Sequence, residues 1–165
     1  MAAKEMIVVD PGAGSPVSAL GFKTVIKIRG EQTSGAFSIV ENMLPPGAFV
    51  PPHRHERIDE VSYLLEGELG VMVAEEDFQL RPGSFVVRPR GVPHALWVTG
   101  TRPARFLDIF TPAGHEAFFE EVARIASLSP PTAKQLAEAG LQNDVIFMPE
   151  LAPPLVKKYN LRVPG

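Results

Sequence analysis

The stretch from Gly47 to Gly67 reads G-A-F-V-P-P-H-R-H-E-R-I-D-E-V-S-Y-L-L-E-G. His53 and His55 are two residues apart, so on a strand both imidazoles point to the same face. Four residues separate His55 from Glu60, which is enough for the chain to turn and to start an antiparallel neighbour. The spacing therefore predicts that the Glu60 carboxylate lies beside the two imidazoles.

A second segment, from Gly83 to His94, supplies a third imidazole and reads G-S-F-V-V-R-P-R-G-V-P-H. Two imidazoles on one strand, a carboxylate on the next and a further imidazole make a nitrogen and oxygen ligand set for a divalent transition metal. His115 shares no such spacing, and we predict no role for it. The predicted metal ligands are His53, His55, Glu60 and His94.

The two segments resemble the two sequence motifs of the cupin family. The first segment has the residue required at every fixed position of the first motif: Gly47, His53, His55, Glu60 and Gly67. The second segment matches the second motif at Gly83, Pro89, Gly91 and His94. At the last fixed position of that motif Val98 stands in place of Asn, which predicts a more apolar pocket near the metal.

Composition and patterning predict an all-β fold. Seventeen prolines and fourteen glycines imply many short elements with abrupt turns. At least eight short strands follow one another up to residue 110, which indicates a sandwich or a barrel. Residues 6–9 are predicted as an edge strand and residues 60–74 as a hairpin, and Pro51-Pro52 indicate either a sheet edge or a bulge beside His53. The resemblance to cupins implies a double-stranded β-helix, also called a jelly roll.

We expect a single domain over residues 1–165, with the barrel at about residues 20–111. Two helices are predicted at about residues 112–140, packed on the outside of the barrel. The first would start at Thr111-Pro112, and the second has the capping-box pattern from Thr132 to Gln135. The remaining residues, 141–165, are predicted to form an extended tail.

Strand alternation predicts which side chains line the interior. If Glu60 faces inward, Ser62 and Leu64 do so too. If His94 faces inward, Leu96 and Val98 follow, and Trp97 faces the other side. Four aromatic residues are candidates for the pocket wall or the core: Phe37, Phe49, Phe85 and Phe106. Arg88 or Arg90 could contact an anionic substrate at the rim.

Charge and composition limit the partners and the compartment. The net charge of −3 gives no indication of a nucleic-acid partner. The absence of cysteine excludes disulfides and thiolate metal sites and fits a reducing compartment. The first residues lack the apolar core of a signal peptide, and no apolar run reaches membrane-spanning length. We therefore expect a cytoplasmic protein with no membrane partner, and the resemblance implies a homodimer.

The resemblance also implies a function. It suggests one divalent transition metal per chain, with iron, manganese, nickel, cobalt, copper and zinc all open. The leading hypothesis is a metal-dependent dioxygenase similar to quercetinase-like cupins, acting on a small enolisable or aromatic, flavonol-like substrate. In it Glu60 is both a metal ligand and the catalytic base. The alternatives are a non-oxidative metal-dependent isomerase or decarboxylase, and a non-catalytic cupin that binds a small molecule.

Overall fold

The computed structural model describes residues 6–162, which fold into two facing antiparallel sheets followed by short helices. This is the predicted double-stranded β-helix with a C-terminal helical segment. The strands are β1 (Ser15–Pro16), β2 (Lys23–Ile28), β3 (Ser38–Leu44), β4 (Phe49–Arg54), β5 (Asp59–Glu66), β6 (Leu69–Val73), β7 (Glu76–Leu80), β8 (Phe85–Arg88), β9 (His94–Val98), β10 (Ala104–Thr111) and β11 (Ile146–Phe147). The helices are α1 (Glu116–Leu128), α2 (Ala133–Gln142) and α3 (Ala152–Tyr159).

The strands divide between a six-stranded sheet, in the order β1-β2-β3-β10-β5-β8, and a five-stranded sheet, in the order β11-β4-β9-β6-β7. Residues 6–9, predicted as an edge strand, adopt no regular secondary structure. None of the helices within residues 6–162 is long and apolar enough to cross a membrane.

The predicted hairpin over residues 60–74 is wrong. The chain reverses at Gly67 as expected, but β5 pairs with β10 and β8, whereas β6 pairs with β7 and β9. The turn therefore carries the chain from one sheet to the other. Gly67 has a φ of 81°, and a Cβ there would lie 2.5 Å from the carbonyl oxygen of Pro103. Only glycine accommodates both the left-handed conformation and this close approach.

One half of the barrel interior is apolar, and the other, the polar half, combines polar side chains with the apolar cluster of Ile26, Val40 and Phe110. The apolar half is a cluster that includes Leu64, Leu96, Val98 and Phe106, so these four side chains face inward as predicted. The same alternation places polar groups further along each strand: in β5, for example, Glu60 and Ser62 are also buried. The apolar half supplies core stability, and the polar half forms the candidate site.

Two of the four aromatic side chains predicted for the pocket wall or the core, those of Phe37 and Phe85, are exposed. Phe85 is 65% exposed on the outer face of β8, where it stacks on Tyr63 at 4.4 Å between ring centroids. Phe37, in the segment before β3, is also exposed. Phe49 and Phe106 are buried in the core. Alternation along β8 is the reason for the first difference, because Arg88 faces inward and Phe85 therefore faces outward.

The chain after the barrel differs from the prediction at both ends. Helix α1 begins at Glu116 and not at Thr111-Pro112, because Thr111 is the last residue of β10 and pairs with Asp59 of β5. The Glu116 carboxylate accepts hydrogen bonds from the backbone N–H groups of Gly30 (2.8 Å) and Gly114 (2.9 Å). Helix α2 begins with the predicted capping box of Thr132 and Gln135. The tail predicted to be extended instead forms β11 and α3.

Trp97 attaches α3 to the outer face of the five-stranded sheet. It faces away from the barrel interior, as predicted, and packs with Phe49 and with Leu155 of α3. The ring of Tyr159 lies 4.5 Å from it. Trp97 lies opposite Gly70 in the β6–β9 pair, where a Cβ would be 2.2 Å from the indole ring. A side chain at position 70 would therefore displace the indole and the helix that rests on it.

We expect Gly70→Ala to lower the free energy of unfolding by about 1–3 kcal/mol, the usual cost of overpacking a filled interior. Gly100→Ala is the matched control, because its Cβ would meet its nearest neighbour, Glu68, at an ordinary 3.7 Å. The control should change stability by less than about 0.5 kcal/mol. Urea denaturation of both variants measures the difference, and equal midpoints would contradict the packing described for Trp97.

Candidate metal centre

A bulge in β4 places His53 opposite His94. The pairing of β4 with β9 shifts register between Val50 and His53, at the two prolines where the sequence indicates a sheet edge or a bulge. Val50 lies opposite Leu96, and His53 lies opposite His94. His55 follows just after the end of β4, and the rings of His55 and His94 are 5.3 Å apart. Two neighbouring strands of one sheet thus carry all three imidazoles.

Glu60 reaches the imidazoles from the opposite sheet. It lies on β5 of the six-stranded sheet, so the prediction that its strand is the antiparallel neighbour of β4 is wrong. The residues between His55 and Glu60 carry the chain across the barrel. One carboxylate oxygen, Oε2, lies 3.4 Å from Nε2 of His55 and 3.3 Å from Nε2 of His94. The four predicted residues therefore converge, with one potential ligand atom from each lying within 4.8 Å of the others.

Backbone carbonyls orient all three imidazoles. Nδ1 of His53 lies 2.8 Å from the carbonyl oxygen of Pro51, Nδ1 of His55 lies 2.7 Å from that of Asp144, and Nδ1 of His94 lies 3.1 Å from that of Val92. A carbonyl oxygen only accepts hydrogen bonds, so each Nδ1 carries a proton and each Nε2 keeps its lone pair. This arrangement is typical of histidines that bind a metal through Nε2.

The buried polar atoms fit a cation. His53 has the largest exposed fraction of the four side chains, and it is only 8%. Nε2 of His55, Oε2 of Glu60 and Nε2 of His94 form no hydrogen bond within the part of the chain that the structure describes. Unpartnered buried acceptors are costly, and a divalent transition metal would satisfy all three at once. The cluster is therefore a candidate metal centre.

Comparison with known proteins agrees with this geometry. Residues 41–110 match the family described as "Cupin domain". These residues form a cupin domain. The match covers β3 to β10 almost completely and includes all four residues of the candidate centre.

Three known proteins resemble the chain. A germin-like protein of Arabidopsis thaliana, subfamily 2 member 2, is 36% identical over 62% of this chain and 48% of its own length. Quercetin 2,3-dioxygenase of Bacillus subtilis is 28% identical over 54% of this chain and 26% of its own length. The chain thus covers less than half the length of either relative. The structure of a predicted oxalate decarboxylase from Thermotoga maritima, 23% identical, superposes with a TM-score of 0.60 over 64% of this chain and 99% of that one, which shows a shared fold.

Arg88 also belongs to the candidate site, although the sequence did not indicate this. It was predicted at the rim, but its side chain is buried, with Nη2 3.0 Å from Oε1 of Glu60 and 2.7 Å from Oδ1 of Asp108. Arg90, the other rim candidate, pairs with Asp59 at 2.6 Å on the surface. The inward direction of Arg88 could have been found from the alternation in β8, but the pairing with Asp108 is a long-range contact.

The pKa values of the two buried carboxylates shift in opposite directions. Burial would raise the pKa of Glu60, but the charge of Arg88, with contacts to His55 and His94, holds it well below its usual range. Burial raises the pKa of Asp108 to about 7 against the opposing charge of Arg88, and the charge of Glu60 adds to the rise. The charge of Arg88 therefore outweighs burial at Glu60 but not at Asp108.

The imidazoles differ in their readiness to accept protons. Burial and the neighbouring imidazoles lower the pKa of His53 well below its ordinary value, and burial also lowers the pKa of His94. Burial opposes a charge on His55 as well, but contact with Glu60 outweighs it and raises the pKa. At neutral pH, His53 and His94 are therefore neutral and available as ligands.

His115, for which no role was predicted, belongs to an aromatic wall beside the centre. Its ring lies 4.7 Å from that of His55, 4.2 Å from that of Phe110 and 5.2 Å from that of Phe119. Phe147 of β11 lies 6.1 Å from His53 on the other side. No spacing in the sequence connects these aromatic side chains to the motif, because α1 and β11 reach the site only through tertiary packing.

Asp144 supports the site from the C-terminal segment and was also missed. Its carbonyl accepts the hydrogen bond from His55, and its carboxylate accepts bonds from the backbone N–H groups of Glu56 (3.2 Å) and Arg57 (2.9 Å). It has a φ of 62°, a left-handed conformation that Asp tolerates better than most residues. The pair Asn143-Asp144 indicates a turn in the sequence. The contacts of Asp144 with residues 55–57 join distant parts of the chain, and no local sequence pattern indicates them.

Val98 does not make the metal pocket more apolar, contrary to the prediction. It is four residues from His94 on the same strand, or about 13 Å along it. It packs with Leu69 and Leu96 in the apolar half of the barrel. The departure from the motif therefore affects the core and not the surroundings of the cation.

We expect Glu60→Gln to weaken binding of a divalent metal by more than about 100-fold, because changes in outer-shell partners alone cost about 10- to 100-fold. Glu56→Gln is the matched control, since Glu56 is exposed and pairs with Arg54 at 2.7 Å. Metal content after purification without added metal, measured by plasma mass spectrometry, tests this. Equal metal content in the two variants would remove Glu60 from the site.

In the metal-free protein, His115 should make stability sensitive to acid. Burial lowers the pKa of His115 to about 3, whereas the unfolded chain takes up this proton near pH 6.5. Stability is therefore lost as the pH falls from about 6.5 towards 3, by about 1.4 kcal/mol per pH unit for this one group. We expect His115→Phe to show a shallower loss than the wild type when urea denaturation in EDTA is repeated from pH 7 to pH 4. Parallel curves would contradict the buried, neutral state of His115.

Proposed function

We propose that this cupin domain is a metal-dependent dioxygenase that acts on a small enolisable or aromatic, flavonol-like substrate. The observation that carries the proposal is the convergence of His53, His55, His94 and Glu60 on one buried point, where three acceptor atoms have no hydrogen-bond partner among the described residues 6–162. The similarity to a relative named quercetin 2,3-dioxygenase supports it.

Four protein ligands leave room for substrate. Most of the metals that this ligand set accepts take five or six ligands, so one or two positions stay open. When bound, the metal would polarise a substrate hydroxyl and supply the redox chemistry that dioxygen requires. The chain's own part is to hold the four ligand atoms in place and to keep water away from them.

The aromatic wall favours an apolar substrate and oxidation. Phe147 lies beside His53, and His115 lies beside His55. The ring of Phe118 lies near both of these wall residues, 5.6 Å from the ring of His115 and 6.4 Å from that of Phe147. Dioxygen and an aromatic ring both suit such a surface, because neither requires hydrogen-bond partners. Flat aromatic substrates would gain further from stacking or edge contacts with these rings.

Glu60 serves as a ligand in this proposal, and its second role, that of catalytic base, stays a prediction from the sequence. Arg88 lies 3.0 Å from its Oε1 and holds the pKa of Glu60 well below its usual range, so its affinity for a proton is low. The substrate is therefore expected to be acidic enough to bind as an anion, as an enol or a catechol-like hydroxyl can beside a cation.

The decisive experiment follows oxygen consumption with enolisable and catechol-like compounds. Protein loaded separately with iron, manganese, nickel, cobalt, copper or zinc is assayed with an oxygen electrode. We expect uptake with at least one metal, both atoms of labelled dioxygen in the product, loss of uptake in His94→Ala and retention in Glu56→Gln. Absence of uptake with every metal would overturn the proposal, and equal turnover without oxygen would instead favour a non-oxidative reaction.

A further inference from the structure

Arg88 ends a row of buried polar side chains that crosses the six-stranded sheet. The row takes one residue from each of five neighbouring strands: Thr24, Asn42, Asp108, Ser62 and Arg88. All of them are at most 5% exposed. A charged side chain is almost never buried to this extent unless it is paired, so the contacts of Arg88 determine its position.

The row fixes the guanidinium from behind. Thr24 donates a hydrogen bond to Asn42 (2.9 Å), and Asn42 donates to Oδ2 of Asp108 (2.8 Å). Oδ1 of Asp108 accepts a hydrogen bond from Nη2 of Arg88 at 2.7 Å, and Ser62 contacts both of these groups. With both oxygens of Asp108 engaged, Arg88 has little freedom to move relative to the sheet.

The two oxygens of Glu60 therefore have different surroundings. Oε1 lies 3.0 Å from Nη2 of Arg88, on the neighbouring strand directly opposite Glu60. Oε2 lies 3.3 Å from Nε2 of His94 and 3.4 Å from Nε2 of His55, and it forms no hydrogen bond with any part of residues 6–162. A cation among the imidazoles would thus meet Oε2 while Oε1 stays paired with the guanidinium.

We propose that Arg88 is a positioning residue that makes Glu60 a one-oxygen ligand and prevents its carboxylate from turning both oxygens towards the cation. This inference rests on the proposed metal site. Turning the carboxylate would break the 3.0 Å contact between Oε1 and Nη2 and leave Asp108 as the remaining carboxylate partner of Arg88, and separating a buried ion pair is unfavourable. Arg88 thus reserves one position on the cation that a second carboxylate oxygen would otherwise fill, and leaves it to the substrate.

Infrared difference spectra of the Co²⁺-loaded minus the metal-free protein test this directly. The two stretching bands of a carboxylate are widely separated when one oxygen binds the metal and move together when both bind. Glutamate labelled with ¹³C at the carboxylate and the Glu60→Gln variant identify the bands of Glu60. We expect a wide separation in the wild type and a narrower one in Arg88→Met.

Arg105→Met is the matched control, because Arg105 also pairs with two carboxylates, Glu41 at 2.9 Å and Glu66 at 2.7 Å, but on the outer face of the same sheet. It should keep the wild-type separation. A purely structural role for Arg88 would lower stability without changing the separation. If Arg88→Met does not fold, the same spectra are recorded on the double variant Arg88→Met/Asp108→Asn. The second substitution removes the carboxylate charge that loses its partner when Arg88 is replaced.

The separation of the two Glu60 carboxylate bands in the wild type is by itself a test of the role of Arg88. Bands lying close together in the Co²⁺-loaded wild type would overturn the role assigned to Arg88 and leave the metal site intact. Failure of Co²⁺ to bind at all would instead overturn the proposed metal site. An equal, wide separation in wild type and folded Arg88→Met would show that Glu60 needs no help from Arg88, and would likewise reject the inference.

Discussion

Two buried carboxylates, those of Glu60 and Asp108, share one buried guanidinium in the interior of the barrel. Removing three charges from water is expensive, and a single Arg88 cannot compensate for both negative groups. The raised pKa of Asp108 and the depressed pKa of Glu60 express this imbalance. A cation beside Glu60 would correct it, so the polar half of the barrel is suited to hold positive charge, and the apolar half provides the stability that makes this tolerable.

The imidazoles are oriented before any cation arrives. A bulge at Pro51-Pro52 aligns His53 with His94, and a backbone carbonyl accepts a hydrogen bond from Nδ1 of each ring. Because folding fixes these carbonyls, one in β4 and the other two in the loops before β9 and β11, the three Nε2 atoms lose little freedom on binding a metal. Folding therefore supplies the free energy that orients the imidazole rings. A metal can then bind tightly to buried histidines without ordering them first.

The C-terminal segment completes the site and is not only a tail. The backbone carbonyl of Asp144 accepts a hydrogen bond from Nδ1 of His55. The start of α1 places His115, and β11 places Phe147, against the imidazoles. Docking of α3 on Trp97 helps to hold this segment on the barrel. The selectivity of the site therefore depends on residues far along the chain from the motif, and these residues can vary without altering the ligands themselves.

The four candidate ligands, the bulge and the capping box of α2 could be predicted from spacing or alternation within short stretches, and the double-stranded β-helix from the family resemblance that those stretches carry. The sheet to which β5 belongs, the pairing of Arg88 with Asp108 and the aromatic wall could not be predicted. They arise from contacts between residues distant in sequence, such as Arg88 with Asp108 and His55 with Asp144. The sequence by itself thus determined which atoms are available to bind a metal. Only the tertiary structure decided how those atoms are held, since their charge partners and walls come together through folding alone.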